Sequence, residues 1–214
     1  MKEYNYYIFD FDGTLVDSSE GIYNSIIYAL KEFGIEEPDR EKLRYFIGPP
    51  LWHSFKHIYG VNDEESALLV AKYRERYKVK GVLEALVYEN VPEMLKALKE
   101  KGKKIAIASS KPKQFVDEMS KNLGIYDCYD YVSAESLDNT HSSKEDLINN
   151  VLEHFNNPNK EECLMIGDRF YDVDGAKATG LDCAGALFGL GEEEELTKAG
   201  ATYLLNSPFD LLDF

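Results

Sequence analysis

The sequence predicts an α/β protein in which a doubly wound, Rossmann-like parallel sheet is interrupted by an inserted α-helical domain. After Gly81, short apolar segments alternate regularly with amphipathic ones, as strands and helices do in such folds. The apolar segments are nearly continuous runs, which is typical of parallel strands buried on both faces. Between the first strand and this alternation lies a long stretch with helical spacing only.

The first strand is predicted within residues 4–10 (YNYYIFD), a β-rich apolar run that is followed by acids and by the turn pair Gly13-Thr14. From Ser18 to about Lys80, apolar residues recur three and four positions apart. Breaks at Gly34, at residues 48–50 (GPP) and at Gly60 divide this stretch into about four helices.

The remaining elements alternate along the chain. Helices are predicted over residues 91–101, 112–123, 143–155, 172–179 and 192–199, and strands over 104–108, 129–133, 163–166, 182–187 and 201–205. The predicted domains are therefore an α/β core of residues 1–17 and 81–214 and a helical domain of residues 18–80.

The charge and composition of the chain disfavour some classes of binding partner. A formal net charge of -15 disfavours nucleic acid and anionic membranes, because the mean field of the protein would repel both. A small anionic substrate would need locally concentrated positive charge. No segment approaches the ~20 apolar residues that a membrane span needs, and the three cysteines form no CxxC spacing. We expect a cytoplasmic protein with reduced thiols.

Polar residues follow several predicted strands, and the carboxyl ends of parallel strands are where such folds bind ligands. Asp10 and Asp12 close the first strand, and in extended chain residues two apart point to the same side. Two adjacent carboxylates repel each other unless a cation or a shared proton offsets them. Asp168 and Asp172 follow the strand CLMIG and add hard oxygen ligands of the kind that Mg²⁺ prefers.

Candidate phosphate-holding groups follow the other strands. Ser109 and Ser110 come directly after KIAIA, where a hydroxyl and successive backbone N–H groups could hold phosphate oxygens. Lys144 opens a helix whose N-terminal end favours an anion. Each group alone is also explained as a turn, a helix cap or a solvated charge. Their joint occurrence, in chain order and each near a strand end, favours a site.

These residues resemble the motifs of the haloacid dehalogenase superfamily. Residues 10–18 (DFDGTLVDS) match its first motif, Ser109 the second, Lys144 the basic third and residues 167–172 (GDRFYD) the acidic fourth. The resemblance covers essentially the whole chain, since residues 18–80 look like the α-helical cap of the family. Within the superfamily the sequence resembles the phosphoglycolate phosphatase group, and residues 46–51 (FIGPPL) resemble a cap loop of 5'-nucleotidases.

The resemblance implies a Mg²⁺-dependent phosphatase that cleaves a small phosphate monoester through an aspartyl-phosphate. It implies that Asp10 is the nucleophile and Asp12 the acid and base, and that Ser109 and Lys144 hold the phosphoryl oxygens. The implied metal ligands are Asp10, the backbone carbonyl of Asp12, Asp168 and Asp172. Further substrate contacts are expected from Gly13, Thr14, Ser110, Gly48 and Pro49.

Several alternatives stay open on the sequence. The family lysine is usually followed closely by proline, but Lys144 is followed by Glu145, so Lys111 is a second candidate for the phosphate-binding lysine. A sugar-phosphate mutase would carry an acid or base such as histidine near the place that Ile22 occupies. A pyrophosphatase, a dehalogenase and a non-catalytic binding module are further alternatives. The leaving group and the choice between monomer and homodimer are undetermined.

Overall fold

The structure, a computed structural model, describes residues 2–137 and 142–214. Its strands are β1 (Tyr6–Phe9), β2 (Val16–Asp17), β3 (Leu86–Val87), β4 (Lys104–Pro112), β5 (Tyr131–Glu135), β6 (Cys163–Gly167), β7 (Asp182–Ala186) and β8 (Tyr203–Leu205). Its α-helices are α1 (Ser19–Glu32), α2 (Arg40–Leu43), α3 (Leu51–Tyr59), α4 (Asp63–Tyr77), α5 (Val91–Glu100), α6 (Lys113–Asn122), α7 (Lys144–His154), α8 (Phe170–Thr179) and α9 (Glu193–Ala199).

Six strands form one parallel sheet in the order β5-β4-β1-β6-β7-β8. Strand β1 lies between β4 and β6, with Phe9 beside Ile107 on one side and Ile166 on the other. This register brings the carboxyl ends of β1, β4 and β6 to one edge of the sheet. The predicted doubly wound α/β fold is confirmed.

Both faces of the central strands are buried. Successive residues of a strand point to opposite faces of the sheet. On one face, Ile8, Ala106 and Met165 pack with apolar residues of α7, α8 and α9 in a continuous core. The neighbouring strand residues Tyr7, Phe9, Ile105, Ile107, Leu164 and Ile166 are also fully buried. Burial on both faces explains why these strands lack the polar alternation of a half-exposed sheet.

The chain divides into two compact units, residues 1–17 with 87–214 and residues 18–86. The second unit contains the four helices α1 to α4, as the periodicity predicted. Helix α4 begins with a capping box between Asn62 and Glu65. Helix α3 ends at Gly60, whose φ of 68° suits a residue without a Cβ atom. In the interior of this second unit, the rings of Phe46 and Phe55 pack edge to face.

The return to the first unit lies at Val87, six residues after the predicted boundary at Gly81. Residues 81–86 stay with the helices because Glu84 forms an ion pair with Arg76 of α4, 2.8 Å apart. The backbone oxygen of Glu84 also accepts a hydrogen bond from the N–H of Gly21 in α1. Gly21 and Gly81 pack so closely that a Cβ atom on Gly21 would lie 2.1 Å from the Gly81 oxygen.

Strand β4 is longer than predicted and ends irregularly. It continues to Pro112, and its register against β5 shifts between Ser109 and Pro112. Two residues of β4, Ser110 and Lys111, are therefore inserted between neighbouring partners on β5, as in a β-bulge. Helix α6 consequently begins at Lys113. Among the described residues, no helix combines the length and apolar character that crossing a bilayer requires.

Candidate active site

The loop after β1 carries the first two acids of the candidate site. The N–H of Asp10 donates to the carbonyl oxygen of Ile166 on β6, which ties the end of β1 to the neighbouring strand. The chain then turns at Gly13, whose φ of 86° favours glycine. Asp10 is buried, and the side chain of Asp12 is 15% exposed. The turn thus places one carboxylate inside the sheet edge and leaves the other partly open.

Three buried acids converge at this edge. Asp10, Asp168 and Asp172 each place a carboxylate oxygen within 4.8 Å of the others. Burial and the nearby charges of Asp172 and Asp10 raise the pKa of Asp168 well above its usual value. Burial raises the pKa of Asp172 to about 6, and repulsion by Asp10 acts in the same direction, while Lys144 opposes the shift. A nearby positive charge would therefore stabilise the ionised form of these carboxylates.

Lys144 supplies one such charge. Its ammonium nitrogen lies 2.9 Å from Asp10 Oδ1 and 2.8 Å from Asp172 Oδ1, and it donates to the carbonyl oxygen of Ala108 at 3.0 Å. Burial alone would lower the pKa of Lys144, but the two carboxylates outweigh it and raise this pKa above its usual value. Lys144 is therefore a fixed cation in contact with the predicted nucleophile.

Helix contacts place Lys144. It is the first residue of α7, and Ser143 forms a capping box with Asp146 at that end. Its aliphatic stem lies against Gly175 of α8, where an added Cβ atom would come within 2.6 Å of Lys144 Cγ. A side chain at position 175 would thus displace the lysine.

Lys111 makes a separate ion pair with Asp12. Its ammonium nitrogen donates to both carboxylate oxygens of Asp12, at 2.9 and 3.0 Å. Lys111 is buried at the irregular end of β4, and its N–H donates to the hydroxyl of Ser109 at 3.3 Å. The sequence left Lys144 and Lys111 as alternatives for one role, but the structure brings both to the site, on different acids.

Thr14 has a contact that the sequence did not predict. It was expected to bind substrate, but its side chain is fully buried and its hydroxyl donates to Asp168 Oδ1 at 2.9 Å. The other oxygen, Asp168 Oδ2, has no hydrogen-bond partner among the described residues. It lies against Gly13, where a Cβ atom would be 2.3 Å away. Two residues of the first motif, Gly13 and Thr14, therefore orient Asp168 of the fourth motif.

The acidic segment after β6 is held by further contacts. The N–H of Arg169 donates to Asp172 Oδ2 at 3.1 Å. Glu195 of α9 accepts from Arg169 Nε and from the N–H of Phe170, both at 2.9 Å. Residues 192–195 are an acidic run, and Glu193, Glu194 and Glu195 lie in the first turn of α9. Glu195 also fastens the segment after β6, and nothing in the sequence pattern distinguishes Glu195 from its neighbours.

The predicted site residues divide between the two units. Ser109 is buried at the end of β4, and Ser110 follows it, half-buried, in the inserted part of that strand. Gly48 and Pro49 belong to the helical unit, in the turn before α3, where Gly48 has a φ of 105°. Their predicted role toward the leaving group stays a prediction.

Comparison with known proteins establishes the family. Residues 7–186 match the family model for haloacid dehalogenase-like hydrolases. The chain belongs to this family. It is 40% identical to a 5'-nucleotidase of Pseudomonas aeruginosa over 92% of the chain and 88% of that protein. It is 30% identical to tyrosine-protein kinase PtkA of Mycobacterium tuberculosis over 94% of the chain and 68% of the relative.

Solved structures agree with the family assignment. The crystal structure of a predicted phosphatase from Clostridium acetobutylicum superposes with a TM-score of 0.92 at 38% identity, covering 99% of this chain and all of the other. The protein is thus a phosphatase of the haloacid dehalogenase-like hydrolase family. The resemblance predicted from the four motifs is confirmed.

Proposed function

We propose that this phosphatase hydrolyses a small phosphate monoester, of the phosphoglycolate or nucleoside 5'-monophosphate type, through an aspartyl-phosphate on Asp10. One observation carries the proposal. The buried carboxylate of Asp10 lies 2.9 Å from the ammonium group of Lys144 and within the cluster that Asp168 and Asp172 complete. A carboxylate in contact with a fixed cation, in a cluster whose remaining acids could hold a metal ion, is suited to attack an anionic phosphoryl group.

The acid cluster fits Mg²⁺ as cofactor. Its members offer hard oxygen atoms, which Mg²⁺ prefers, and Asp168 Oδ2 is buried without a hydrogen-bond partner among the described residues. Asp10, Asp168 and Asp172 would hold the ion, with the backbone carbonyl of Asp12 as the further predicted ligand. A bound Mg²⁺ supplies charge neutralisation for the transferring phosphoryl group.

The proposed chemistry uses the two acids of the first motif in turn. A carboxylate oxygen of Asp10 forms a bond to phosphorus while the bond to the leaving oxygen breaks, and Asp12 gives that oxygen a proton. Asp12 then takes a proton from the water that attacks phosphorus and releases Asp10. Ser109, Ser110 and Lys144 would hold the phosphoryl oxygens. The turn at Gly13, in the loop after β1, would lie next to the bound phosphoryl group.

Discrimination between leaving groups belongs in this proposal to the helical unit. The residues at the strand ends address the phosphoryl group, which all monoester substrates share, so selectivity needs contacts beyond it. Gly48 and Pro49, in the turn before α3, are the proposed contributors. The partner is thus a small phosphorylated metabolite, in line with a net charge that repels polyanions.

The test is phosphate release from a panel containing phosphoglycolate, nucleoside 5'-monophosphates, sugar phosphates and pyrophosphate, with Mg²⁺ and with EDTA. Asp10→Asn should lower turnover by more than about 10³-fold while keeping the melting temperature near that of the wild type. Asp174→Asn, an exposed acid of α8, is the matched control and should remain active.

Acid quenching during turnover should trap the phosphoryl group that the substrate has transferred to Asp10, so that the peptide containing Asp10 carries one phosphoryl group. Wild-type protein that releases phosphate without that adduct, together with an Asp10→Asn variant within tenfold of wild type, would exclude the proposed nucleophile. Activity on pyrophosphate alone would replace the monoester proposal by the pyrophosphatase alternative.

A further inference from the structure

The ion pair between Lys111 and Asp12 has a geometry that phosphate binding does not require. The Lys111 ammonium nitrogen contacts both oxygens of the same carboxylate, at 2.9 and 3.0 Å. The Lys111 side chain is 4% exposed, and the Asp12 side chain is 15% exposed. Solvent and salt screen such a buried pair weakly, so the contact restricts the orientation of the Asp12 carboxylate.

The fold builds this contact through the irregular end of β4. The register against β5 shifts after Ser109, and the inserted residues are Ser110 and Lys111. Such insertions re-aim side chains at strand ends. The hydrogen bond from the Lys111 N–H to the Ser109 hydroxyl closes the insertion locally. Because β4 is the neighbour of β1 in the sheet, the redirected lysine reaches the loop that carries Asp12.

The two buried lysines serve different acids. Lys144 contacts Asp10 and Asp172, and Lys111 contacts Asp12. In the proposed function Asp10 forms the bond to phosphorus, and Asp12 moves the protons. Lys144 is therefore paired with the carboxylate that attacks phosphorus, and Lys111 with the carboxylate that transfers protons.

We propose that Lys111 is a positioning residue for proton transfer by Asp12, an inference that rests on the proposed function. Asp12 enters this step carrying the proton that it took from water in the preceding turnover. It gives that proton to the leaving oxygen as the phosphorus–oxygen bond breaks and the bonding electrons pass to that oxygen, while its other carboxyl oxygen keeps the hydrogen bond from Lys111. The transfer needs the carboxyl group within hydrogen-bond reach of the oxygen. Lys111 holds the carboxyl group on the loop after β1 in one orientation, and it does so without touching the reacting atoms.

Leaving groups of different basicity distinguish this role from phosphate binding. A strongly basic leaving oxygen needs the proton as the bond breaks, whereas 4-nitrophenolate leaves without it. The probes are phenyl phosphates that differ in the para substituent, so that size changes little along the series. The quantity is kcat/KM, because it includes no step after the first irreversible one, which is departure of the phenol.

We expect Lys111→Met to lower kcat/KM for unsubstituted phenyl phosphate about 10²-fold and for 4-nitrophenyl phosphate less than about tenfold. Asp12→Asn should show the same dependence on the leaving group, and the double variant should match Asp12→Asn because the two residues act as a unit. Lys111→Arg should recover most of the lost activity. Lys113→Met, in the exposed pair with Asp117, is the matched control and should behave as wild type.

Equal losses across the phenyl series, or losses that add in the double variant, would overturn the inference in favour of phosphate binding or a purely structural lysine. If Lys111→Met unfolds, judged by its melting temperature, the comparison is made with Lys111→Gln and Lys111→Arg on the same series. The proposed function is tested separately, by wild-type hydrolysis of 4-nitrophenyl phosphate and its loss in Asp10→Asn. If that test fails, the inference about Lys111 fails with it.

Discussion

At the scale of single residues, the site is a set of buried charges that constrain one another. Lys144 compensates two of the three clustered acids, and the hydroxyl of Thr14 donates to the third, Asp168. Unpaired buried carboxylates are costly, because desolvation favours their neutral form. In the proposed metal site Thr14 would therefore support a ligand without being one, in the way that hydrogen bonds to ligating carboxylates generally do.

Removing the Thr14 hydroxyl should weaken metal binding. Thr14→Val keeps the shape of a fully buried side chain but deletes the donor to Asp168 Oδ1. We expect the Kd for Mg²⁺ to rise about 10- to 100-fold, measured by calorimetry and by the dependence of the melting temperature on Mg²⁺ concentration. Thr14→Ser keeps the hydroxyl and should stay within about threefold of wild type, by the same reasoning. An unchanged Kd in Thr14→Val would show that the hydrogen bond does not support the ligand.

At the scale of elements, the sequence predicted which residues lie at the strand ends, but it did not predict the irregular end of β4. Asp10 and Asp168 directly follow β1 and β6, and Ser109 lies near the carboxyl end of β4. Parallel strands in adjacent positions bring such residues together. The insertion at Ser110 and Lys111 has no sequence signal, because it arises from the register between β4 and β5. The ion pair of Lys111 with Asp12 was therefore outside what the pattern could predict.

Helix α8 packs so closely against Lys144 that the usual effect of a glycine substitution should reverse. Replacing a glycine inside a helix by alanine normally stabilises a protein, by about 1 kcal/mol. At Gly175 the new Cβ atom would lie 2.6 Å from Lys144 Cγ and 2.9 Å from its Cβ. We expect Gly175→Ala to lower the free energy of unfolding by about 1–3 kcal/mol and to reduce turnover by shifting Lys144. Urea unfolding with phosphate-release assays measures both, and a more stable, fully active variant would contradict the packing argument.

At the scale of the whole molecule, hydrophobic periodicity was sufficient for the architecture. It predicted the parallel sheet and the four helices of the inserted unit, because both depend on local spacing of apolar residues. The return point at Val87 was missed by six residues. Residues 81–86 are held by tertiary contacts, such as the ion pair of Glu84 with Arg76, that no local pattern encodes.

Substrate choice should reside in the helical unit of this two-unit molecule. Asp10, Asp12 and their partners all belong to the α/β unit, and Gly48, Pro49 and Pro50 belong to the helical one. If chemistry and selectivity are divided in this way, replacing Pro49 and Pro50 by alanine should reorder the substrate panel. Individual kcat/KM values should then change by different factors, of about 10-fold or more for the most affected substrate.

The same variant should still accumulate the phosphoryl adduct on Asp10, because the groups that form it are untouched. A control with Lys72→Ala, on the exposed side of α4 in the same unit, should leave the ranking as it is. If every substrate of the Pro49→Ala, Pro50→Ala variant loses activity by one common factor, the turn supports catalysis in general and does not select the leaving group. An unchanged panel would remove the turn from the proposed specificity site altogether, and selectivity would then have to be sought elsewhere in the helical unit.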